Sequence, residues 1–154
     1  MPETHKTDLL VIGGGPGGYA AAFRAADLGL TVTLIEADNR LGGTCLLRGC
    51  IPSKALLHVA ALIAETQEAQ HWGVTFAKPK IDLPALREWK NGIISRLSNG
   101  LSGLVRQRKV RHIQGFAEFE SSTRVVVKNN DDVSHVEFNH AIIATGSRPV
   151  SIPL

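Results

Sequence analysis

The sequence predicts an α/β fold in which a parallel sheet carries flanking helices and an antiparallel β-meander. Short apolar runs at residues 8–12 and 31–35 are typical of strands buried on both faces of a parallel sheet. A run of small residues, 19–26, separates them and ends near Gly29, as a crossover helix does. After Arg111 the pattern changes to short alternating segments with turn residues between them, which indicates a meander.

Length and composition favour a single globular domain over residues 1–154. The chain is 44% hydrophobic, with 17 basic and 14 acidic residues and a net charge of +3. A basic cluster at residues 106–112 falls where a helix is expected to end, a position that stabilises cations, and no aromatic platform for nucleic acid lies beside it. We therefore expect no nucleic-acid partner.

No targeting or membrane segment is expected. The chain has no unbroken apolar run of the roughly 18 residues that a membrane span needs, and residues 1–6 form a short polar lead without the basic-then-apolar layout of a signal peptide. We expect a cytoplasmic protein with no membrane partner.

A glycine-rich turn follows the first strand and opens the first helix. Gly13 permits the tight turn, Gly15 lets a pyrophosphate approach the backbone, and Gly18 lets the helix lie close to the sheet. Pro16 and Gly17 complete the turn, where a helix N-terminus favours a phosphate. Such a triplet also occurs in ordinary tight turns, but its place between strand and helix predicts a Rossmann-like dinucleotide site.

Glu36 ends the second strand about 20 residues beyond this turn, where dinucleotide-binding folds place a carboxylate for the ribose hydroxyls. The alternative is an acid at a strand end that is simply solvated. Its distance from the glycine turn favours ribose binding and an adenosine-containing ligand.

The only two cysteines, Cys45 and Cys50, lie in a glycine-bounded segment ahead of a predicted helix. Pro52 is acceptable in a first helical turn, so Cys50 is expected at a helix N-terminus, where the dipole favours a thiolate. A purely structural disulfide across so short a loop would stabilise the folded protein by only about 2 kcal/mol. A metal site would need further ligands, and none stands at a suitable spacing. We favour a redox-active disulfide over these two alternatives and over inert cysteines.

The cysteine segment follows the ribose site directly in sequence, and a disulfide needs an electron partner. A flavin suits this role better than a nicotinamide, because it stays bound while passing electrons between a thiol pair and a second carrier. Lys54, in the first turn of the helix, opposes the dipole. It either points to water or serves an anion such as a thiolate or a reduced flavin.

Two helical stretches and the strands complete the pattern. Residues 83–104 carry leucines and isoleucines at intervals of three and four, which we interpret as core or interface packing. Strands are predicted at 112–114, 115–119, 124–127 and 133–138, with a turn at 129–132. A buried strand is predicted over 141–143, ending in a turn at 144–149.

Together, the glycine turn, Glu36 and the segment from Gly43 to Lys54 resemble the flavoprotein disulfide reductases, the family of glutathione, trypanothione and mercuric reductases. The resemblance covers the whole chain and implies a Rossmann-like FAD/NAD(P)-binding fold with FAD as cofactor and NAD as electron acceptor. It adds further positions expected to line the flavin or its adenine, and these are Gly43, Thr44, Lys54, Gly115, Ala117, Ala144, Thr145 and Gly146. For Gly115 the alternative is an ordinary loop glycine.

In this family a dithiol such as a lipoyl group would attack the disulfide at Cys45, and Cys50 would be released as a thiolate beside the flavin. The resemblance also implies that the enzyme continues beyond Leu154 into nicotinamide and interface domains and forms a homodimer, so that the isolated stretch would be weakly active or inactive. Alternatives are a glutathione- or mercuric-type reductase using NADPH, a non-catalytic dinucleotide-binding redox module, and a scaffold piece whose cysteines never cycle.

Overall fold

The computed structural model describes residues 3–130, 132–147 and 150–152. They form two compact units. The first contains the residues up to Gly43 and those from Ser98 onward, and the second is Thr44–Leu97.

The first unit is built on a six-stranded mixed sheet in the order β3-β2-β1-β6-β5-β4. Its strands are β1 (Glu3–Ile12), β2 (Val32–Glu36), β3 (Arg111–Gln114), β4 (Phe116–Ser121), β5 (Arg124–Asn129) and β6 (Asp132–Ile143). Strand β1 pairs in parallel with β2 and β6, and β2 pairs in parallel with β3. Strands β4, β5 and β6 form the antiparallel meander. The predicted α/β class with an added meander is therefore confirmed.

Three strand predictions were wrong in detail. The polar lead is part of β1, because Glu3 and the residues after it pair with β6 from Ser134 onward. The predicted strand at 112–114 is not part of the meander but extends the parallel sheet beside β2. The strands predicted at 133–138 and 141–143 are one continuous strand, β6. Its first half pairs with β5 of the meander, and it pairs with β1 from Ser134 to Ile143.

The end of β6 is exposed rather than buried as predicted. Ile143 keeps 65% of its surface accessible and Ile142 keeps 38%. Within the described residues this end of the strand pairs only with β1, so its other edge and its side chains lack a covering element. Of the turn predicted after it, Arg148 and Pro149 lie outside the described residues, as does Asp131 of the earlier turn.

Both faces of the parallel sheet are buried, as the apolar runs predicted. On one face Leu9 and Val11 pack with Ala22 and Ala25 of helix α1 (Pro16–Asp27). On the other face Leu10 and Ile12 pack with residues of the meander. Alternate side chains of one strand thus enter two cores, which fixes the register of β1.

The second unit is helical. Helix α2 (Gly43–Leu47) leads into α3 (Cys50–Glu68), and a 3-10 turn (Ala69–Trp72) ends at Gly73 in a left-handed conformation. Helix α4 (Leu83–Gln107) begins in this unit and ends in the first. Among the described residues, one helical stretch, Gly43–Trp72, is long and apolar enough to cross a membrane on length and composition alone, with a mean hydropathy of 1.4 and 6% of that apolar window buried.

The apolar stripe predicted on α4 is only partly buried. Ile94 and Val105 are buried, whereas Leu83, Leu97 and Leu104 are exposed. The buried line also contains Ser98, a polar residue that an apolar pattern does not select.

Candidate functional site

The glycine turn closes the carboxyl end of β1 against the start of α1. Gly13 has a φ of 108°, which a side chain would strain, and its N–H donates to the Ile35 carbonyl at 2.8 Å. A Cβ at Gly18 would overlap the Gly13 carbonyl oxygen, so α1 lies against the turn at van der Waals distance. The structure thus brings Gly13 and Gly18 together in the roles that the motif predicts for their backbone.

The N-terminus of α1 is open to an anion. Pro16 begins the helix, and no side chain caps it at Gly15. A Cβ at Gly17 would meet nothing within 4 Å. Uncapped helix N–H groups beside free space fit the pyrophosphate of a dinucleotide, since the N–H groups and the dipole both favour negative charge.

The Glu36 carboxylate lies at the end of β2 beside this turn and is held by two backbone donors. Gly14 N–H donates to its Oε2 at 2.6 Å, and Asp38 N–H donates to its Oε1 at 2.9 Å. Its own carbonyl accepts a hydrogen bond from Gly115 N–H at 2.9 Å. These bonds fix the orientation of the carboxylate, which fits the ribose role predicted for it.

Ala144, at the end of β6, lies beside the glycine turn. Ala144 N–H donates to the Ile12 carbonyl at 2.7 Å, and its own carbonyl fills the space that a Gly13 Cβ would need. Thr145 and Gly146 follow it and are exposed. The Ala117 side chain packs against the apolar core of the meander face. The prediction for Ala117 concerns its backbone, and it stays a prediction.

The segment leading to the cysteines begins against the glycine turn. Gly43 has a φ of 60°, and a Cβ placed on it would lie 2.6 Å from the Gly15 Cα. Only a glycine allows this approach and this backbone conformation. Thr44 and Cys45 follow directly along the chain.

Leu41 and Ser98 support this segment and were missed by the sequence analysis. Leu41 is 1% exposed, and its carbonyl accepts a hydrogen bond from the Ser98 hydroxyl at 2.9 Å. A serine among apolar helix residues gives no functional signal by itself. Its spacing of four residues from Ile94, which is also buried, was the signal that could have found it.

Both cysteines lie in helices of the second unit. Cys45 is in the short helix α2 and is half-buried. Cys50 begins α3, as predicted, and is exposed. The two cysteines are not joined by a disulfide in this structure. Gly49 separates the helices, and a Cβ there would lie 3.0 Å from the Thr44 carbonyl oxygen.

The two cysteine side chains interact with each other, and this interaction affects the pKa of Cys45. A hydrogen bond to Cys50 raises the pKa of Cys45, helped by burial and by the negative charge on Cys50, whereas the exposed Lys54 ammonium opposes this by lowering that pKa. A raised pKa favours the protonated form of Cys45. Lys54 is exposed, as expected of a lysine that points to water, and its charge also acts on Cys45, so its role stays a prediction.

These features define a dinucleotide-binding domain followed by a reactive thiol pair. The family model described as pyridine nucleotide-disulphide oxidoreductase matches residues 7–154. The chain belongs to this family of FAD-dependent oxidoreductases, which implies FAD as its cofactor.

Curated relatives are named dihydrolipoyl dehydrogenase, in keeping with the predicted resemblance. The protein of that name from Buchnera aphidicola subsp. Acyrthosiphon pisum is 50% identical over 153 residues, and that from Haemophilus influenzae is 46% identical over 154 residues. The relative from Vibrio cholerae is 44% identical over 153 residues. Each alignment covers 99% of this chain but only 32% of the relative, so the chain spans about a third of their length.

Proposed function

We propose that the chain is the FAD-binding part of a dihydrolipoyl dehydrogenase that oxidises a dithiol, dihydrolipoamide, through a Cys45–Cys50 disulfide and transfers the electrons to NAD. The observation that carries this proposal is the placement of the two cysteines directly after the dinucleotide turn, with Cys45 half-buried in α2 and Cys50 exposed at the N-terminus of α3. The names of the relatives support the choice of substrate.

The residues of the first unit fit an FAD. The open N-terminus of α1 at Gly15, Pro16 and Gly17 would hold the pyrophosphate, and Glu36 would accept hydrogen bonds from the adenosine ribose. Gly115 and the strand end at Ala144 would border the same ligand, one beside Glu36 and the other beside Gly13. When bound, FAD supplies a two-electron acceptor that restores the disulfide from the dithiol and reduces NAD.

The cysteines would carry out two thiol–disulfide exchanges. One substrate thiolate attacks Cys45 Sγ of the disulfide, which forms a mixed disulfide and releases Cys50 as a thiolate. The second thiolate of the substrate then attacks the substrate sulfur that is bonded to Cys45 in the mixed disulfide. This yields the cyclic oxidised substrate and releases Cys45 as a thiolate, which takes up a proton. The N-terminus of α3 and the charge of Lys54 stabilise the negative charge that these steps place on the pair.

Several properties of the whole protein belong to this proposal. Residues 1–154 would be one FAD-binding domain, with nicotinamide and interface domains elsewhere in the enzyme. The whole protein would be a cytoplasmic homodimer that receives lipoyl domains of an acyltransferase and binds neither nucleic acid nor membrane. Gel filtration of the full-length protein tests the dimer.

The experiment is an anaerobic titration of the full-length flavoprotein with dihydrolipoamide, followed by visible absorbance. We expect the wild type to take up electrons from the dithiol, and Cys45→Ser and Cys50→Ser to lose this response while still binding FAD. A flavoprotein that is reduced by NADPH but ignores dihydrolipoamide would instead be another disulfide reductase. A protein that binds no flavin would contradict the proposal.

A further inference from the structure

We propose that Gly14 is a positioning residue that sets the ribose specificity of the nucleotide site through Glu36. Gly14 is not one of the three glycines to which the dinucleotide motif gives a role. The inference deepens the proposed function, since it rests on the binding of the adenosine ribose by Glu36.

Gly14 is fixed by its backbone on two sides. Its N–H donates to the Glu36 Oε2 at 2.6 Å, and its carbonyl accepts a hydrogen bond from Gly42 N–H at 3.0 Å. The first bond is charge-assisted and short, the strong kind of protein hydrogen bond. Gly14 thus connects the carboxylate at the end of β2 with the backbone that enters the cysteine segment.

No side chain fits at this position. A Cβ on Gly14 would lie 2.5 Å from Leu41 Cδ2 and 2.9 Å from Glu36 Oε2. Leu41 is 1% exposed and therefore has little freedom to move aside. Unlike Gly13, Gly14 does not have a left-handed backbone, so it is the space and not the conformation that requires glycine.

A side chain at position 14 would change the orientation of the Glu36 carboxylate. Asp38 N–H holds Oε1 at 2.9 Å while Gly14 N–H holds Oε2, so the two donors together set the plane of the Glu36 carboxylate. A methyl group at position 14 would displace Oε2 and turn that plane. A hydrogen bond to a ribose hydroxyl depends on this orientation, so the ribose contact would weaken while the phosphate contacts at α1 remain.

The test measures ribose discrimination in the full-length protein stripped of flavin. Isothermal titration with ADP and with 2′-deoxy-ADP gives the ratio of their affinities for the wild type, Gly14→Ala and Glu36→Gln. We expect the wild type to prefer ADP by about tenfold or more, as for a hydrogen bond to a charged group. Both variants should bring the ratio close to one. Gly100→Ala is the matched control, because a Cβ there would meet nothing within 4 Å; it should keep the ratio of the wild type.

The outcomes separate this inference from the proposed function. If Glu36→Gln loses the discrimination and a folded Gly14→Ala keeps it, Glu36 binds the ribose but Gly14 does not position it, and the inference is wrong. If Glu36→Gln keeps the discrimination, the ribose role of Glu36 fails and the inference fails with it. Should Gly14→Ala not fold, Glu36→Asp replaces it, because the shorter carboxylate cannot keep its bond to Gly14 N–H. A wild-type ratio in Glu36→Asp would contradict the inference.

Discussion

The thiol of Cys45 is hydrogen-bonded to that of Cys50, and this bond is the largest cause of the raised pKa of Cys45. The raised pKa favours the protonated form of Cys45. The environments of the two cysteines also differ, because Cys45 is half-buried in α2, whereas Cys50 is exposed at the N-terminus of α3.

Removing Cys50 should make Cys45 more acidic. In Cys50→Ala the hydrogen bond and the charge that raise the pKa of Cys45 are both lost, so the pKa should fall toward its ordinary value of 9.0. Site-resolved mass spectrometry of iodoacetamide alkylation against pH, in the reduced proteins, measures the change. An alkylation profile of Cys45 that is the same in both proteins would contradict the account.

Removing the charge of Lys54 should have the opposite effect. The Lys54 ammonium lowers the pKa of Cys45, so Lys54→Met should shift the alkylation profile of Cys45 to higher pH. The control is Lys90→Met, which removes an equal charge from a lysine that does not act on Cys45. A shift of the same size in both variants would show a general charge effect and not a local one.

Asp8 should contribute stability above its titration range. Its carboxylate accepts hydrogen bonds from Thr31 Oγ1 at 2.6 Å and Thr31 N–H at 2.9 Å, and these bonds lower its pKa below the ordinary 3.8. A carboxyl group whose pKa is lower in the folded protein than in the unfolded chain stabilises the fold at a pH above its unfolded-state pKa. This stability is lost as the pH falls through the pKa of the folded protein. Urea unfolding should show Asp8→Asn less stable than the wild type at about pH 6, with the difference shrinking toward about pH 3. A difference that is constant with pH would contradict this.

His112 should titrate abnormally because of its surroundings. Desolvation lowers its pKa below 6.5, and the negative charge of Glu36 partly opposes this by raising it. In Glu36→Gln the opposing charge is gone, so the imidazole should titrate at still lower pH in a histidine NMR titration. Since the folded state disfavours the charged ring, His112 should also cost stability as the pH falls below 6.5. A titration that moves upward in Glu36→Gln would show that the two side chains do not interact as described.

The hydroxyl of Ser98 should matter more for stability than that of Ser102. Ser98→Ala would leave the buried Leu41 carbonyl without its 2.9 Å donor, at a cost of about 1–3 kcal/mol. Ser102 only donates back to the Ser98 carbonyl of its own helix, at 3.3 Å, so Ser102→Ala should change stability by less than about 0.5 kcal/mol. Urea denaturation of the two variants compares them directly, and equal losses would contradict the role given to Ser98.

The parallel half of the fold was predictable because its signals are local. Strand β1 is apolar on both faces, and the glycines that follow it have no plausible place except a turn. The start of α3 was predictable for the same reason, since Pro52 fits only the first turn of a helix. These patterns depend on neighbours along the chain.

The errors came from pairings that a single sequence does not contain. Nothing in residues 111–114 says whether the strand pairs with β2 or with the meander, because both pairings suit the same residues. Residues 132–143 were divided in two because their first half alternates and their last part is evenly apolar. That change marks a change of neighbours along one strand and not the end of a strand.

The residues of the site that belong to a motif could be predicted from the sequence, but the residues that hold them in position could not. Glycine spacing and the place of Glu36 are signals of residue type. Gly14, which is hydrogen-bonded to Glu36, occupies a position of the glycine motif that any residue type may fill. Ser98 and Leu41, which are also hydrogen-bonded, lie far apart in the sequence. Such contacts depend on packing, which a pattern of residue types does not record.

The central claim is that Cys45 and Cys50 cycle between a disulfide and a dithiol. The most direct measurement is the number of alkylatable thiols at these two positions, by mass spectrometry, in the oxidised full-length flavoprotein before and after anaerobic dihydrolipoamide. The account predicts none before and both after, with the visible spectrum of the flavin changing in step. Two alkylatable thiols before and after, while the flavin is still reduced, would show that the cysteines do not carry the electrons.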